Sequence, residues 1–201
     1  VALPGIAADV ALAELPRMSE EELEECMVWE CRQRFGFSGE EGVIDYQVVD
    51  DRNSEGEKSI GVLLAGTARD TLEGYLDSMR ETGITLSEVS VCPLVLADAY
   101  AHSQDEERVE GVLVHVGAEV TEVVALDRGL PVFVRGIGRG GRAITRSLEA
   151  GLDVDSDGAE SLKMGKDIPQ DIAQDVERIT EQGAEELVSE VRQALEGYTS
   201  L

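Results

Sequence analysis

The sequence predicts an α/β fold. Segments with helical spacing of apolar residues alternate with short β-branched runs, glycines and acidic turns punctuate them, and 201 residues with 42% apolar content suffice for a buried core. Taken in order, Val10–Leu15 alternates and stops at Pro16, which predicts a short strand. Ser19 opens a helix: it is a capping residue, Glu22 stands three residues on, and Glu20, Glu21 and Glu22 crowd the first turn. Leu23, Met27, Trp29 or Glu30, Cys31 and Phe35 give approximate helical spacing, and Gly36 is the stop.

Gly42–Asp50 is β-rich, Asp51–Ser59 reads as a turn, and Ile60–Ala65 is a second strand, so the three predict a hairpin with a long loop. Thr67–Thr82 predicts a helix with Leu72, Tyr75, Leu76 and Met79 on one face and Gly83 past its end. Leu86–Val91 predicts a strand, and Pro93 starts an apolar helix through Tyr100. Residues 19–91 thus read as an αββαβ subdomain. Ser103–Glu110 is a polar linker. Val112–Val116, Thr121–Leu126 and Leu130–Arg135 form an antiparallel meander, turning at Gly117 and at Asp127-Arg128-Gly129. Gly140 and Gly141 precede a helix over about 142–150. An acidic turn, Asp153–Gly158, leads into a helix through Leu162. Ile168–Leu201 carries an amphipathic helix that Gly183 is expected to interrupt.

The charge excludes more than it assigns. With 17 basic against 42 acidic residues the net charge is −25, which repels phosphate backbones and anionic membrane surfaces alike. The bases are 14 Arg and 3 Lys. Scarce lysine with acidic excess fits a salt-adapted proteome or an ordinary acidic cytosolic protein, and both readings stay open. The apolar runs are too short for a membrane span. No signal peptide is visible, and a first residue other than Met reads as an internal fragment. Cys26, Cys31 and Cys92 lack metal-ligand spacing and are expected as small buried thiols.

Three motifs were weighed for chemistry. Gly136-Ile137-Gly138-Arg139-Gly140-Gly141 contains GxGxxG between a strand and a helix. Its strand belongs to a meander, whereas a dinucleotide fingerprint needs a parallel βαβ crossover, so a packing turn or a phosphate-facing helix start is expected instead. Asp153-x-Asp155-x-Asp157-Gly158 mimics the start of a calcium loop, but its twelfth position is Met164 where a bidentate Glu is needed. His102 and His115 have no nucleophile at a recognisable motif, and His115 is expected in a core or lining position.

The order of elements, with the segments LPRMSEEELEECMVWECRQRFGFSGEEGVIDYQVVD, VLLAGTARDTLEGYLDSMRETGI, VHVGAEVTEVVALDRGLPVFVRGIGRGGRAITRSL and AESLKMGK, resembles the PilM family over essentially the whole chain. The helix-plus-IDYQV segment and the meander ending in GG-x-x-IT are the most specific parts. PilM proteins are actin-like cytoplasmic components of type IV pilus assembly, related to the division protein FtsA. The resemblance implies an actin-like (ribonuclease H-like) two-part α/β fold, incomplete at both ends. Residues 1–18 would be a remnant of the first core, 19–91 the inserted αββαβ subdomain, 92–110 a return helix and linker, and 111–201 the second core with part of its outgrowth near 153–166.

The resemblance also implies a role. The inserted subdomain and first core would take the N-terminal peptide of a PilN-like inner-membrane protein, which places the chain in the cytoplasm, peripheral to that membrane, with self-association into a ring and no nucleic-acid partner. Nucleotide would sit at Gly117, Ala118, Gly140, Gly141, Glu160 and Lys163. The family's second phosphate loop reads Asp-Ile-Gly, whereas here it is His115-Val116-Gly117, and an imidazole cannot supply the carboxylate that holds hydrated magnesium. Glu119 adds negative charge where phosphate would approach, and Arg142 replaces a shorter residue after the glycine pair. The expectation is a scaffold without ATPase activity and without a cofactor in this chain, ATP and magnesium being left to a longer parent. The alternatives are a Mg-ATP switch of the same fold and an FtsA-like membrane-division adaptor.

Overall fold

The computed structural model describes residues 1–36, 41–54, 57–104 and 110–199. They divide into two compact units, Val1–Leu113 with Val124–Val134, and Val114–Val123 with Arg135–Leu201.

In the first unit, β2 (Asp9–Pro16), β3 (Gly42–Ser54) and β4 (Glu57–Ala68) form an antiparallel sheet in the order β2-β4-β3, while β1 (Ala2–Leu3) pairs in parallel with β5 (Ser90–Val91). Helix α1 (Glu20–Phe35) starts at Ser19 in a full capping box: the Ser19 hydroxyl accepts from the Glu22 N–H, and the Glu22 carboxylate accepts from the Ser19 N–H at 2.9 Å. It ends at Gly36, whose φ of 76° is the left-handed conformation glycine adopts without strain. Leu23, Met27 and Cys31, spaced by four, form its buried face against Ala13, Leu15, Ile60, Val62 and Leu64. Trp29, a candidate for that face, is instead 57% exposed. Burial pushes the Cys31 thiol up, with the Glu30 carboxylate adding to it, whereas Cys26 and Cys92 are only half-buried.

Two expectations for the strands change. The stretch expected as a long turn, Asp51–Ser59, belongs largely to the ladder, with Asp51 paired to Ile60 and Ser54 to Glu57. Polar composition predicts the lack of a buried face, and backbone pairing does not require one. The strand expected over Leu86–Val91 shrinks to two residues, because its partner β1 is only two residues long. Asp9–Pro16 pairs with β4 at eight consecutive positions and so shares a sheet with β3 and β4.

Helix α2 (Arg69–Glu81) begins two residues later than expected, because Thr67 and Ala68 complete the ladder with Val43 and Gly42. Helix α3 (Cys92–Ser103) carries Pro93 in its first turn, where a missing N–H costs nothing. Its Ala97 packs on Val124 and Leu126. Strands β6 (Gly111–Val116), β7 (Thr121–Asp127) and β8 (Leu130–Ile137) are neighbours in chain order, with β7 central and buried from Thr121 to Leu126.

The second unit holds α4 (Gly141–Leu152), α5 (Ser156–Lys163) and α6 (Ala173–Thr199) around Leu148, Ala159, Leu162, Val176 and Ile179. Gly183 does not interrupt α6. A Cβ there would stand 2.8 Å from Ile144 Cγ1, and one at Gly151 would stand 2.7 Å from Ile179 Cδ1, so each helix offers the other a glycine notch for an isoleucine. Asp155 caps α5, its carboxylate accepting from the Gly158 N–H at 2.8 Å. Among the described residues no helix is long and apolar enough to cross a membrane.

Candidate functional site

Six residues were singled out by the sequence for a nucleotide, and the second unit brings them together. The turn between β6 and β7 is closed by the Gly117 N–H donating to the Val120 carbonyl at 2.9 Å. The start of α4 lies against it: the Gly141 N–H donates to the Gly117 carbonyl at 2.9 Å and the Arg142 N–H to the Ala118 carbonyl at 2.8 Å. Gly140 is required by this approach. A Cβ at that position would fall 2.4 Å from the Gly117 oxygen and 2.6 Å from the Ala118 oxygen, inside any allowed contact.

Glu160 and Lys163 reach the same helix start from α5. Lys163 Nζ donates to Glu160 Oε2 at 2.6 Å, Thr145 Oγ1 at 3.0 Å and the Gly141 carbonyl at 3.3 Å. The single proton of the Thr145 hydroxyl is best directed to Glu160 Oε2, 2.7 Å away. These two hydrogen bonds, Lys163 first and Thr145 second, hold the Glu160 carboxyl below its usual range. Thr145 was not singled out, although the GG-x-x-IT motif contains it and four-residue spacing from Gly141 puts both on one helical face.

The remaining carboxylate at the turn is engaged as well. Glu119 Oε1 lies 3.2 Å from Arg142 Nε and 3.1 Å from an Arg146 guanidinium nitrogen. His115, expected in a core or lining position, is exposed on the outer strand β6. A magnesium-bound phosphate needs carboxylate or water ligands and open backbone donors. Here the Gly117, Gly141 and Arg142 amides are used by carbonyls, and Glu119 and Glu160 are held by cations. The described residues do not fit that group, and no described set of three His, Cys, Asp or Glu could hold a metal ion.

The first unit carries a different feature, a cleft of about 410 Å³. Strand β3 supplies Asp45, Tyr46, Gln47 and Val49, α3 supplies Leu94 and Asp98, the segment before it Glu88 and Val89, and the β7–β8 turn Gly129, Leu130 and Pro131. Leu63 and Ala65 of β4 line it too, and they are the ladder partners of Gln47 and Asp45, so the cleft lies over one face of the sheet and extends to its outer strand β3. Asp45, Glu88 and Asp98 line the cleft, and among the described residues no basic side chain does. Asp45, Tyr46 and Gln47 lie in the IDYQV segment that carries the resemblance, but the sequence assigns no ligand to any cleft residue, because the walls come from four segments that only the fold brings together.

Comparison with known proteins gives a consistent picture. No curated protein matches the chain. Among solved structures, the PilM-PilN type IV pilus biogenesis complex matches with a TM-score of 0.79 at 23% identity, over 98% of this chain and 57% of that one. The ethanolamine utilization protein EutJ from Carboxydothermus hydrogenoformans matches at 0.49 and 17% identity, over 66% of this chain and 45% of that one. The cytoplasmic domain of EpsL, from the type II secretion system of Vibrio cholerae, matches at 0.45 and 16%, over 77% and 53%. The chain therefore spans little more than half the length of the PilM chain it matches, and the first of these likenesses shows the actin-like α/β fold. The family described as type IV pilus assembly protein PilM matches residues 6–200, and the chain belongs to that family.

Proposed function

We propose that this chain is a docking module of type IV pilus assembly, working by peptide capture and without turnover. The ligand is an extended N-terminal peptide of a PilN-like inner-membrane protein, and it lies in the first unit's cleft. The observation that carries this reading is a cleft that runs over the sheet face to β3, an outer strand of its sheet. An outer strand offers backbone N–H and C=O groups to an added strand, and the pockets beside it select side chains. Leu63, Ala65, Leu94 and Leu130 supply apolar wall. Asp45, Glu88 and Asp98 favour a peptide carrying basic residues or a free amino terminus. Through that partner the chain is held at the membrane surface, which its own charge of −25 would otherwise avoid. The solved relative named as a PilM-PilN complex supports the choice of partner.

The test is fluorescence anisotropy with a labelled peptide matching the N-terminal segment of the PilN-like protein from the same organism. Glu88→Arg with Asp98→Arg is expected to weaken binding at least tenfold, and Leu130→Glu similarly. Unchanged affinity in both variants, with folding verified by circular dichroism, would remove the cleft from the proposal.

A further inference from the structure

Helix α1 and the cleft lie on opposite faces of the β2-β4-β3 sheet. Leu23, Met27 and Cys31 pack onto Val62 and Leu64 of β4, whereas Leu63 and Ala65, which alternation turns to the other face, line the cleft. The outer side of α1 carries Val28 and Trp29, 42% and 57% exposed. Trp29 is the only tryptophan of the chain, and tryptophan is a residue that folded chains bury on average. Acids surround the pair. Glu25 stands three residues before Val28 and four before Trp29, and Glu24 four before Val28, so they are neighbours on the helix surface. Glu20, Glu21 and Glu22 belong to the first turn and its dipole, but Glu24 and Glu25 fall beyond it. Both are exposed, and no described salt bridge engages either. Arg32, one turn further along, is the cation beside the pair.

We propose that the outer side of α1 is a second docking surface, and that its occupant is a protein segment carrying arginine or lysine beside an apolar anchor. Charge selects that occupant. Two copies of this chain repel each other at −25 each, and nucleic acid and anionic membrane are repelled as well. A basic segment gains the Glu24 and Glu25 carboxylates, its apolar residue covers Val28, and its cations stack on the Trp29 indole. With the cleft on the other face of the sheet, both surfaces can be filled at once, so the first unit bridges two partners. The bridging role rests on peptide capture by the cleft, and the α1 surface does not.

Trp29 is its own reporter. Its fluorescence is followed while the chain is titrated with a tryptophan-free amphipathic peptide of leucine and arginine, and separately with one of leucine and glutamate. The arginine peptide is expected to shift Trp29 emission to the blue, and the glutamate peptide to leave it unmoved. Glu24→Lys with Glu25→Lys should weaken the arginine peptide at least tenfold, with circular dichroism confirming the fold. Glu181→Lys with Glu185→Lys makes the same charge change on exposed positions of α6 and should leave affinity within about twofold. Binding should persist in Glu88→Arg with Asp98→Arg, and with the PilN-like peptide seated in the cleft. An unmoved Trp29, an equal response to the glutamate peptide, or equal losses in the α1 and α6 variants would overturn the proposal. So would displacement by the PilN-like peptide or loss in the cleft variant, since either places the arginine peptide in the cleft. Failure of the PilN-like peptide to bind, with the α1 results intact, would remove peptide capture and leave the α1 surface standing.

Discussion

The two units treat their polar groups in opposite ways. At the second unit's glycine turn, amides meet carbonyls, Glu160 meets Lys163 and Thr145, and Glu119 meets two arginines. In the first unit's cleft, three acidic side chains and a sheet face ending in an outer strand line about 410 Å³ of open volume, and no described salt bridge involves Asp45, Glu88 or Asp98. The difference teaches where recognition is available. A glycine-rich turn beside a helix start looks like a ligand site in sequence, yet its groups are satisfied within the chain. In the cleft the Asp45 carboxylate accepts only from the neighbouring Tyr46 N–H, and no described cation balances it, Glu88 or Asp98. Native structures pair nearly all their buried polar groups, so an accessible concentration of unpaired ones is the stronger pointer to a partner.

The largest expected effect comes from breaking the closed turn. Gly140→Ala places a methyl group 2.4 Å from one backbone oxygen and 2.6 Å from another, and neither oxygen can move without opening the turn. We expect a loss of about 2–4 kcal/mol in urea unfolding, in the range of backbone-displacing overpacking. Gly138→Ala is the internal comparison. A Cβ there meets nothing within 4 Å, so its effect should stay within about 0.5 kcal/mol. Equal losses in the two variants would mean that the turn is not held by close approach at Gly140. Peptide affinity at the cleft should be unchanged in both, which sharpens the contrast between the units.

A smaller effect is expected in the first unit. Ser19→Ala removes the hydroxyl that accepts from the Glu22 N–H and bonds its carboxylate at 2.8 Å. The cost should be about 1 kcal/mol, the usual value of an N-cap. Because α1 supplies Leu23, Met27 and Cys31 to the core of the β2-β4-β3 sheet, the loss should appear as faster hydrogen exchange along α1. Unaltered exchange in α1 would mean that packing, not the cap, sets the helix start.

Much of this was legible in the chain, for identifiable reasons. The capping box, the Gly36 stop and the four-residue spacing of Leu23, Met27 and Cys31 are local signals and need no tertiary context. Gly140 and Gly141 are visible as a glycine pair ahead of a helix, with Thr145 four residues beyond Gly141, whereas Glu160 and Lys163 are marked only by the resemblance to the PilM family. The pairing of Glu119 with Arg142 and Arg146 was not visible. The arginines show the spacing of one helical face, but their partner lies more than 20 positions earlier and arrives only through the meander. The hairpin was expected but with a long loop over Asp51–Ser59, because polar composition hides the continuation of its ladder.

The smallest effect distinguishes the units by acid. Lys163 and Thr145 hold Glu160 below its ordinary value of 4.5, so the folded state favours the carboxylate more than the unfolded state does. Above the ordinary value both states are ionised and the stabilisation is fully present. As the pH falls through that value the unfolded chain takes up the proton first, and the stabilisation is lost progressively until the folded carboxyl is protonated too. Stability should therefore fall with pH in this range, and Glu160→Gln should show a shallower fall than the native chain. Urea unfolding between about pH 3 and 6 measures the two slopes. Glu22 is held low in the same direction by Ser19 in the first unit, so a residual slope should survive in Glu160→Gln and be reduced again in Glu22→Gln with Glu160→Gln. Identical slopes in the native chain and Glu160→Gln would show that the Lys163–Thr145–Glu160 contact persists equally in the unfolded state, and the second unit's turn would lose its claim to be closed by folding.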